Sequence, residues 1–407
     1  MRIKVSRLTN IYFLCAIFAL TISESLNMRA SQSGVEDSAF SRPLVVLTLL
    51  FWLFSAVKLA FPGYKLYKPP LPTSLYMLFF FWCFIPIVFG NQTTITDLVF
   101  NVSMTLTPMI VFLSSYNSTI QSEYEKSEKF TFLLMFFFLL LQYISIFREI
   151  NFLSLAHIGS AFYLLYLLPL ILTFNSKLIK ISATVIVVFT LFLSMKRSGV
   201  LALGISLFCF IFVRQYVNHR FNVKSFVGSL VTIMAIGFLF VYLGSRDSGR
   251  ENIFERFENI EKDQGSGRLE VWEHTAALIT GQDNGSLMVG NGYNAVLRDS
   301  RLQLSAHNDL LEVTYDYGLI GTMLYIAAFL SITFYTVKMI LSRSRYAPSM
   351  VMSYTIFFIQ SMVSHIIIYY WASLFMLTWG YIIARNQIEN FQASSLLPDG
   401  NQKTGTV

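Results

Sequence analysis

The residues best suited to chemistry fall in a few short stretches. SAHNDLLEVTYDYGLIG, residues 305–321, places His307, Asn308, Asp309, Glu312 and Asp316 just ahead of a long apolar run. A neutral imidazole near pH 7 can act as a general base. Ser305 is a candidate N-cap, which puts His307 at the second helical position. There the positive end of the helix dipole holds a histidine neutral. The same helix start offers free backbone N–H groups to an anion. On a helical wheel His307, Leu311 and Thr314 share one face, while Asp309 and Glu312 lie on another. The acids are therefore not obvious partners of the imidazole within that helix. A structural or solvent-exposed loop histidine is the plainer reading of the same residues.

Cations stand in two further stretches. GSGRLEVWEHTAALI, 265–279, reads as a helix that Ser266 caps, with Arg268 in its first turn. The helix dipole disfavours a cation there. Arg268 thus implies either a specific anionic partner or an ordinary surface pair with Glu270 or Glu273. SMKRSG, 194–199, joins two apolar runs with almost no loop and carries Lys196 and Arg197. Those two are either ligands for an anion or snorkelling side chains. VGNGYNAV, 289–296, marks a tight turn at Gly290 and Gly292. Its glycines suit a backbone approach to a sugar or phosphate, or a plain loop. His157, His219, His274 and His365 have no evident partners in the sequence. No Cys/His metal spacing, H-E-x-x-H or G-x-S-x-G is present, so no metal and no cofactor is expected. Cys15, Cys83 and Cys209 all sit within apolar runs and suggest neither a metal site nor a disulfide framework.

The elements that must position these residues are membrane helices. Of the 407 residues 55% are hydrophobic and 13% charged, about half the globular norm. Mean hydropathy is +0.57. Apolar runs recur at 8–23, 43–62, 72–89, 95–114, 130–147, 154–174, 178–195, 198–213, 225–244, 318–337, 349–369 and 371–384, most near bilayer length. The expectation is an all-α polytopic membrane protein with about 12 transmembrane helices and one large periplasmic loop containing short helices. The first run follows Arg2, Lys4 and Arg7 like a signal peptide, but no small-x-small cleavage site follows it, so it reads as a retained helix.

Lysines and arginines set the orientation. With the N-terminus cytoplasmic, the inner segments collect Arg2, Lys4, Arg7, Lys58, Lys65, Lys68, Lys126, Lys129, Lys177, Lys180, Arg214, Arg220, Lys224, Lys338, Arg343, Arg345, Arg385 and Lys403. The short outer loops carry only Arg29, Arg42, Arg148, Lys196 and Arg197. Both termini are thus expected inside and the loop 245–317 outside. The chain divides into helices 1–9 (1–244), the periplasmic loop (245–317), helices 10–12 (318–384) and a disordered cytoplasmic tail (385–407). The net charge of +7 is spread over loop ends that anionic lipid satisfies, which argues against nucleic acid. The outer loop holds more acids than bases, so any anion site there must be local.

Together these pieces resemble the O-antigen ligase family, which includes related O-antigen polymerases. The resemblance rests on twelve spans, a large outer loop between the ninth and tenth, and a basic turn (KRSG) before the eighth. It rests also on an SGR-x-x-x-W element, a G-x-G turn and an HN-x-x-L-E…GLIG segment. It covers about residues 190–340, and the N-terminal half agrees only in hydropathy. The family's usual Ser-Arg in the turn is Lys196-Arg197 here, so Arg197 is the matching residue.

The resemblance implies a metal-independent glycosyltransferase at the periplasmic face of the bacterial inner membrane. The donor it implies is a glycan on undecaprenyl pyrophosphate. The acceptor is lipid A–core in a ligase, or another lipid-linked repeat unit in a polymerase. His307 would serve as the base, and Arg197 and Arg268, with Lys196, would hold the pyrophosphate. Asn308, Glu312, Gly290 and Gly292 would support them. A transporter of lipid-linked sugar and a non-catalytic scaffold are the other readings of the chain; the absence of an internal repeat weighs against the first.

Overall fold

The computed structural model describes residues 67–89, 95–121, 125–149, 161–194, 196–219, 264–364, 366–367 and 372–395, with 223–224, 227–228, 231 and 235. Every regular element among them is a helix. In chain order these are α1 (Leu71–Phe89), α2 (Ile95–Gln121), α3 (Glu125–Glu149), α4 (Ala161–Ile171), α5 (Lys177–Leu193) and α6 (Arg197–Val217). There follow α7 (Gln264–Thr280), α8 (Asn284–Val289), α9 (Ala295–Asp299), α10 (Asp309–Leu341), α11 (Ala347–Val363) and α12 (Ala372–Ser395). The expected spans 8–23 and 43–62, and nearly all of 225–244, lie outside the described residues, as do His157 and His365.

Helices apolar on every side belong at the centre of a bundle. All of α4 except Phe162 is buried, and α12 is buried from Ala372 to Asn386. Close approach of α12 to α2 depends on Gly380: a Cβ there would sit 2.9 Å from the Phe112 carbonyl oxygen. Ser115 Oγ beside it donates to the Leu377 carbonyl at 2.9 Å. Small residues at such crossings let two backbones meet in lipid. Aromatic rings tie the central helices together. Trp379 meets Tyr76 of α1 at 5.5 Å and Phe357 of α11 at 5.2 Å, and its indole N–H donates to Ser353 Oγ at 3.0 Å.

The outward faces are apolar too. Phe81, Phe89, Leu201, Phe208, Phe212, Leu330 and Phe334 are all exposed. Leu98–Gln121, Arg197–Val217 and Asp309–Leu341 are long and apolar enough to cross a membrane; Thr73–Phe89, Ala161–Ile171 and Ala347–Val363 are shorter apolar helices. A core that is greasy inside and out is the mark of an integral membrane protein.

Two elements depart from the sequence reading. The polar segment after 385 was expected to be disordered, yet α12 continues to Ser395. It is held there because Arg385 and Asn386 are buried. Arg385 pairs with Glu128 of α3, and Asn386 Nδ2 donates to Tyr335 Oη at 3.2 Å. The second departure is α10, which is not one straight helix. Gly318 breaks it with φ 68° and ψ −177°, a backbone conformation essentially reserved for glycine. Asp309 and Tyr325 are sixteen residues apart, which in a straight helix means about 24 Å. Instead Tyr325 Oη lies 3.4 Å from Asp309 Oδ2. The hydroxyls of Thr314 and Thr322, eight residues apart, are 3.0 Å from each other. The first half of α10, residues 309–317, is therefore folded back along the second. Residues 319–341 remain, about 34 Å of helix, enough for a hydrocarbon core of about 30 Å.

Candidate active site

The fold-back decides where His307 lies. A straight helix would have held it at the outer rim, one long helix above the span. Folding back at Gly318 brings it down beside the bundle, near the level of Tyr325.

Around the break, three consecutive carbonyls of α10 accept hydrogen bonds from outside the helix. Tyr315 O accepts from Asn291 N at 3.2 Å and from Asn291 Nδ2 at 3.1 Å. Asp316 O accepts from Gly292 N at 2.8 Å. Tyr317 O accepts from the Trp82 indole N–H of α1 at 2.9 Å. Buried carbonyls in a membrane protein demand this accounting. It also explains the G-x-G turn. A Cβ at Gly290 would sit 2.4 Å from Asp316 O, and one at Gly318 would sit 2.3 Å from Met288 O. Gly290 and Gly318 therefore let two stretches of this chain's own backbone touch. Asp316 completes the joint, its carboxylate accepting from Asn294 N at 2.9 Å and Val296 N at 3.0 Å.

The start of the folded-back half differs from the sequence reading. The N-cap is Asn308, not Ser305: Asn308 Oδ1 accepts from Leu310 N at 3.0 Å and Leu311 N at 3.2 Å. His307 thus precedes the helix, in a left-handed conformation with φ 51°. That conformation costs a non-glycine residue on the order of 1–3 kcal/mol, so its surroundings must impose it. The surroundings are well defined. Glu312 Oε2 accepts from Ala306 N at 2.7 Å. Asn308 Nδ2 donates to Met362 O at 3.2 Å. Asp309 Oδ1 accepts from Ile366 N at 2.6 Å and Ile367 N at 3.3 Å, just past the end of α11.

The same end of α11 holds the basic turn. Gln360 Nε2 donates to Ser198 O at 3.0 Å, pinning the first turn of α6. Lys196 is the residue before that helix and Arg197 its first residue. Gln360 and Met362 thus hold, within one turn of α11, the segments that carry the basic pair and the histidine. Arg268 comes from a third segment, directly after a break in α7 at Gly267, φ 76°. The side chain of Ser266, the expected cap, lies outside the described residues.

Charge links these pieces. His307 is pushed down to about 4 from its ordinary 6.5, first by burial, then by the positive charges of Arg268 and Lys196. Its neutrality has a different cause from the helix dipole anticipated above, because the ring lies outside the helix. The structure therefore gathers His307, Arg268 and Lys196, with Arg197 adjoining. His274 is used elsewhere, its Nε2 accepting from Arg301 N at 3.1 Å. Sequence reasoning missed Gln360 and the work of Asp309 and Asp316. A lone amide within the apolar run of α11 was the available signal for Gln360. For the acids none existed, since their partners are backbone groups far away in sequence.

Among the described residues, an all-helical membrane protein with a polar cluster where residues 264–308 pack onto a helix broken at Gly318 is the class these features define. Residues 182–326 match the model of the O-antigen ligase family, and the match supports an O-antigen ligase- or polymerase-type, glycosyl-transferring function. Among curated proteins none matches the chain.

Proposed function

We propose that the protein transfers a glycan from undecaprenyl pyrophosphate to an acceptor hydroxyl, with inversion, at the periplasmic face of the bacterial inner membrane. The preferred acceptor is lipid A–core, as in a ligase. What carries this reading is a neutral, half-buried histidine beside two cations from separate segments, all within the matched region. His307 takes the proton from the acceptor hydroxyl as that oxygen attacks the anomeric carbon. Arg268, Arg197 and Lys196 face the pyrophosphate that departs on the opposite side. Guanidinium groups suit phosphate oxygens bidentately, and fixed cations stabilise charge that grows as the bond breaks. No metal or cofactor takes part in this scheme.

The test is transfer of labelled glycan from the lipid-linked donor to purified lipid A–core in proteoliposomes. Labelled lipid A–core supports the ligase reading. Product confined to lipid-linked repeats of growing length overturns it in favour of a polymerase, which the family match accommodates equally.

A further inference from the structure

His307 holds a left-handed backbone in a polar environment, and one buried side chain reaches back to fix it. Glu312 is fully buried. It lies in the second turn of the folded-back half of α10, and its Oε2 receives the N–H of Ala306, the residue directly before His307, at 2.7 Å. Ala306 is itself fully buried and Ser305 nearly so, so this peptide cannot shift into water to find another acceptor. On the other side of His307, Asn308 is fastened to α11 through Met362. The imidazole is carried on a short peptide gripped at both ends, with Arg268 and Lys196 as its charged neighbours. Glu312 Oε1, by contrast, is buried and has no hydrogen-bond partner among the described residues. The bond to Ala306 is therefore the polar contact that gives this carboxyl group its place.

We propose that Glu312 is a positioning residue for the transfer reaction: by holding the Ala306 N–H it keeps His307 left-handed and beside Arg268 and Lys196. It does not touch the reacting atoms. This rests on the reading of His307 as the base. Losing the grip lets the 305–307 peptide relax, and the imidazole leaves both its buried setting and the two cations. The rate of proton removal then falls, while the cations that bind donor remain.

Two measurements on full-length protein in proteoliposomes test this. The first is transfer kinetics for Glu312→Ala, Glu312→Gln, His307→Ala and the His307→Ala/Glu312→Ala double variant, each normalised to folded protein. Glu312→Ala should lower kcat roughly 30- to 100-fold with KM for the donor within about threefold, as for loss of a geometric constraint. Glu312→Gln should stay within about fivefold of wild type, because replacing Oε1 breaks no hydrogen bond. The double variant should be no slower than His307→Ala. The second measurement needs no turnover: carbethoxylation of His307 by diethyl pyrocarbonate across pH 4 to 8, read by mass spectrometry. The midpoint should rise towards 6.5 in Glu312→Ala and stay low in Glu312→Gln. Wild-type kcat in Glu312→Ala, a multiplied loss in the double variant, or an unmoved midpoint each overturns the proposal. Full activity of His307→Ala sinks the catalytic reading of the histidine instead, and the carbethoxylation midpoints then still decide whether Glu312 positions it. If Glu312→Ala does not fold, Glu312→Asp, whose shorter side chain cannot reach Ala306 unstrained, takes its place in both measurements.

Discussion

The two ends of the bundle treat charge in opposite ways. At one end Arg385 of α12 and Glu128 of α3 are buried against each other, side chains 8% and 7% exposed, with the Tyr381 ring 5.5 Å from the guanidinium. At the other end the acids are engaged by backbone. Asp309, Glu312 and Asp316 accept from Ile366 and Ile367, from Ala306, and from Asn294 and Val296. Arg268 and Lys196 meanwhile lie beside a neutral imidazole. A cation matched by a buried carboxylate fastens helices together. Carboxyl groups that receive backbone N–H groups instead fasten one stretch of chain to another.

Substitutions can break or sharpen this contrast. The largest effect is expected for His307→Ala, a loss of about 10²- to 10⁴-fold in kcat with the folded yield retained, the range for a general base. Transfer assays on proteoliposomes of matched protein content check it. Next, Glu128→Ala should destabilise the protein by about 3–5 kcal/mol, since it leaves Arg385 buried without its partner. Thermal unfolding in detergent reads that loss, and activity per folded molecule should be unchanged. Gly318→Ala should cost about 3 kcal/mol or more, because the new Cβ meets Met288 O at 2.3 Å in a conformation closed to alanine. Unlike Glu128→Ala, it should also abolish transfer by whatever fraction survives, since the fold-back carries His307.

A smaller effect concerns pH. His307 sits at about 4 because of burial, then Arg268, then Lys196. The base form therefore persists to about pH 4, and the acid limb of the rate profile should lie near there. Arg268→Gln should lower kcat/KM about 10- to 100-fold and move that limb part of the way towards 6.5, burial remaining. For stability the sign is the reverse of a paired histidine. With the folded value depressed, the unfolded chain binds the proton first, so stability is lost as pH falls from about 6.5 to about 4. The smallest effect is expected for the double change Arg385→Met with Glu128→Leu. Removing both charges together should be nearly neutral by thermal unfolding, as is common for buried pairs.

Much of this architecture was legible in the sequence because lipid makes its demands locally. Apolar runs of near-bilayer length announce helices, and eight of them, from 72–89 to 371–384 with 225–244 set aside, reappear as described helices; the run at 154–174 appears as the shorter α4. The short polar stretches were legible as candidates because few polar residues are present at all. The reversal at Gly318 was not. GLIG reads equally well as a helix running straight through, and the donors that make the break tolerable are Asn291, Gly292 and Trp82, the last 235 residues away. The cap was misread for a related reason. Ser305 and Asn308 are both good N-caps, and the choice between them rests on Glu312 and Met362 gripping the peptide between and beside them. Local preference offers both starts, and tertiary contacts select one.

The joint at Gly318 has a further consequence for the order of assembly. The bonds between Asn291, Gly292, Asn294 or Val296 and residues 315–316 close loops of 20 to 24 residues, whereas Trp82 must find Tyr317 across most of the chain. Short loops close at lower entropic cost and sooner. Residues 291–296 and the folded-back half-helix should therefore fold as one unit before α1 arrives to lock it. Hydrogen exchange during refolding into lipid would show the amides of 291–296 protected ahead of those in α1; the reverse order would mean that the bundle shapes the joint. On this account the peptide before the histidine is gripped by Glu312 first, and the grip of Met362 and the charge of Lys196, both carried by the bundle, come later.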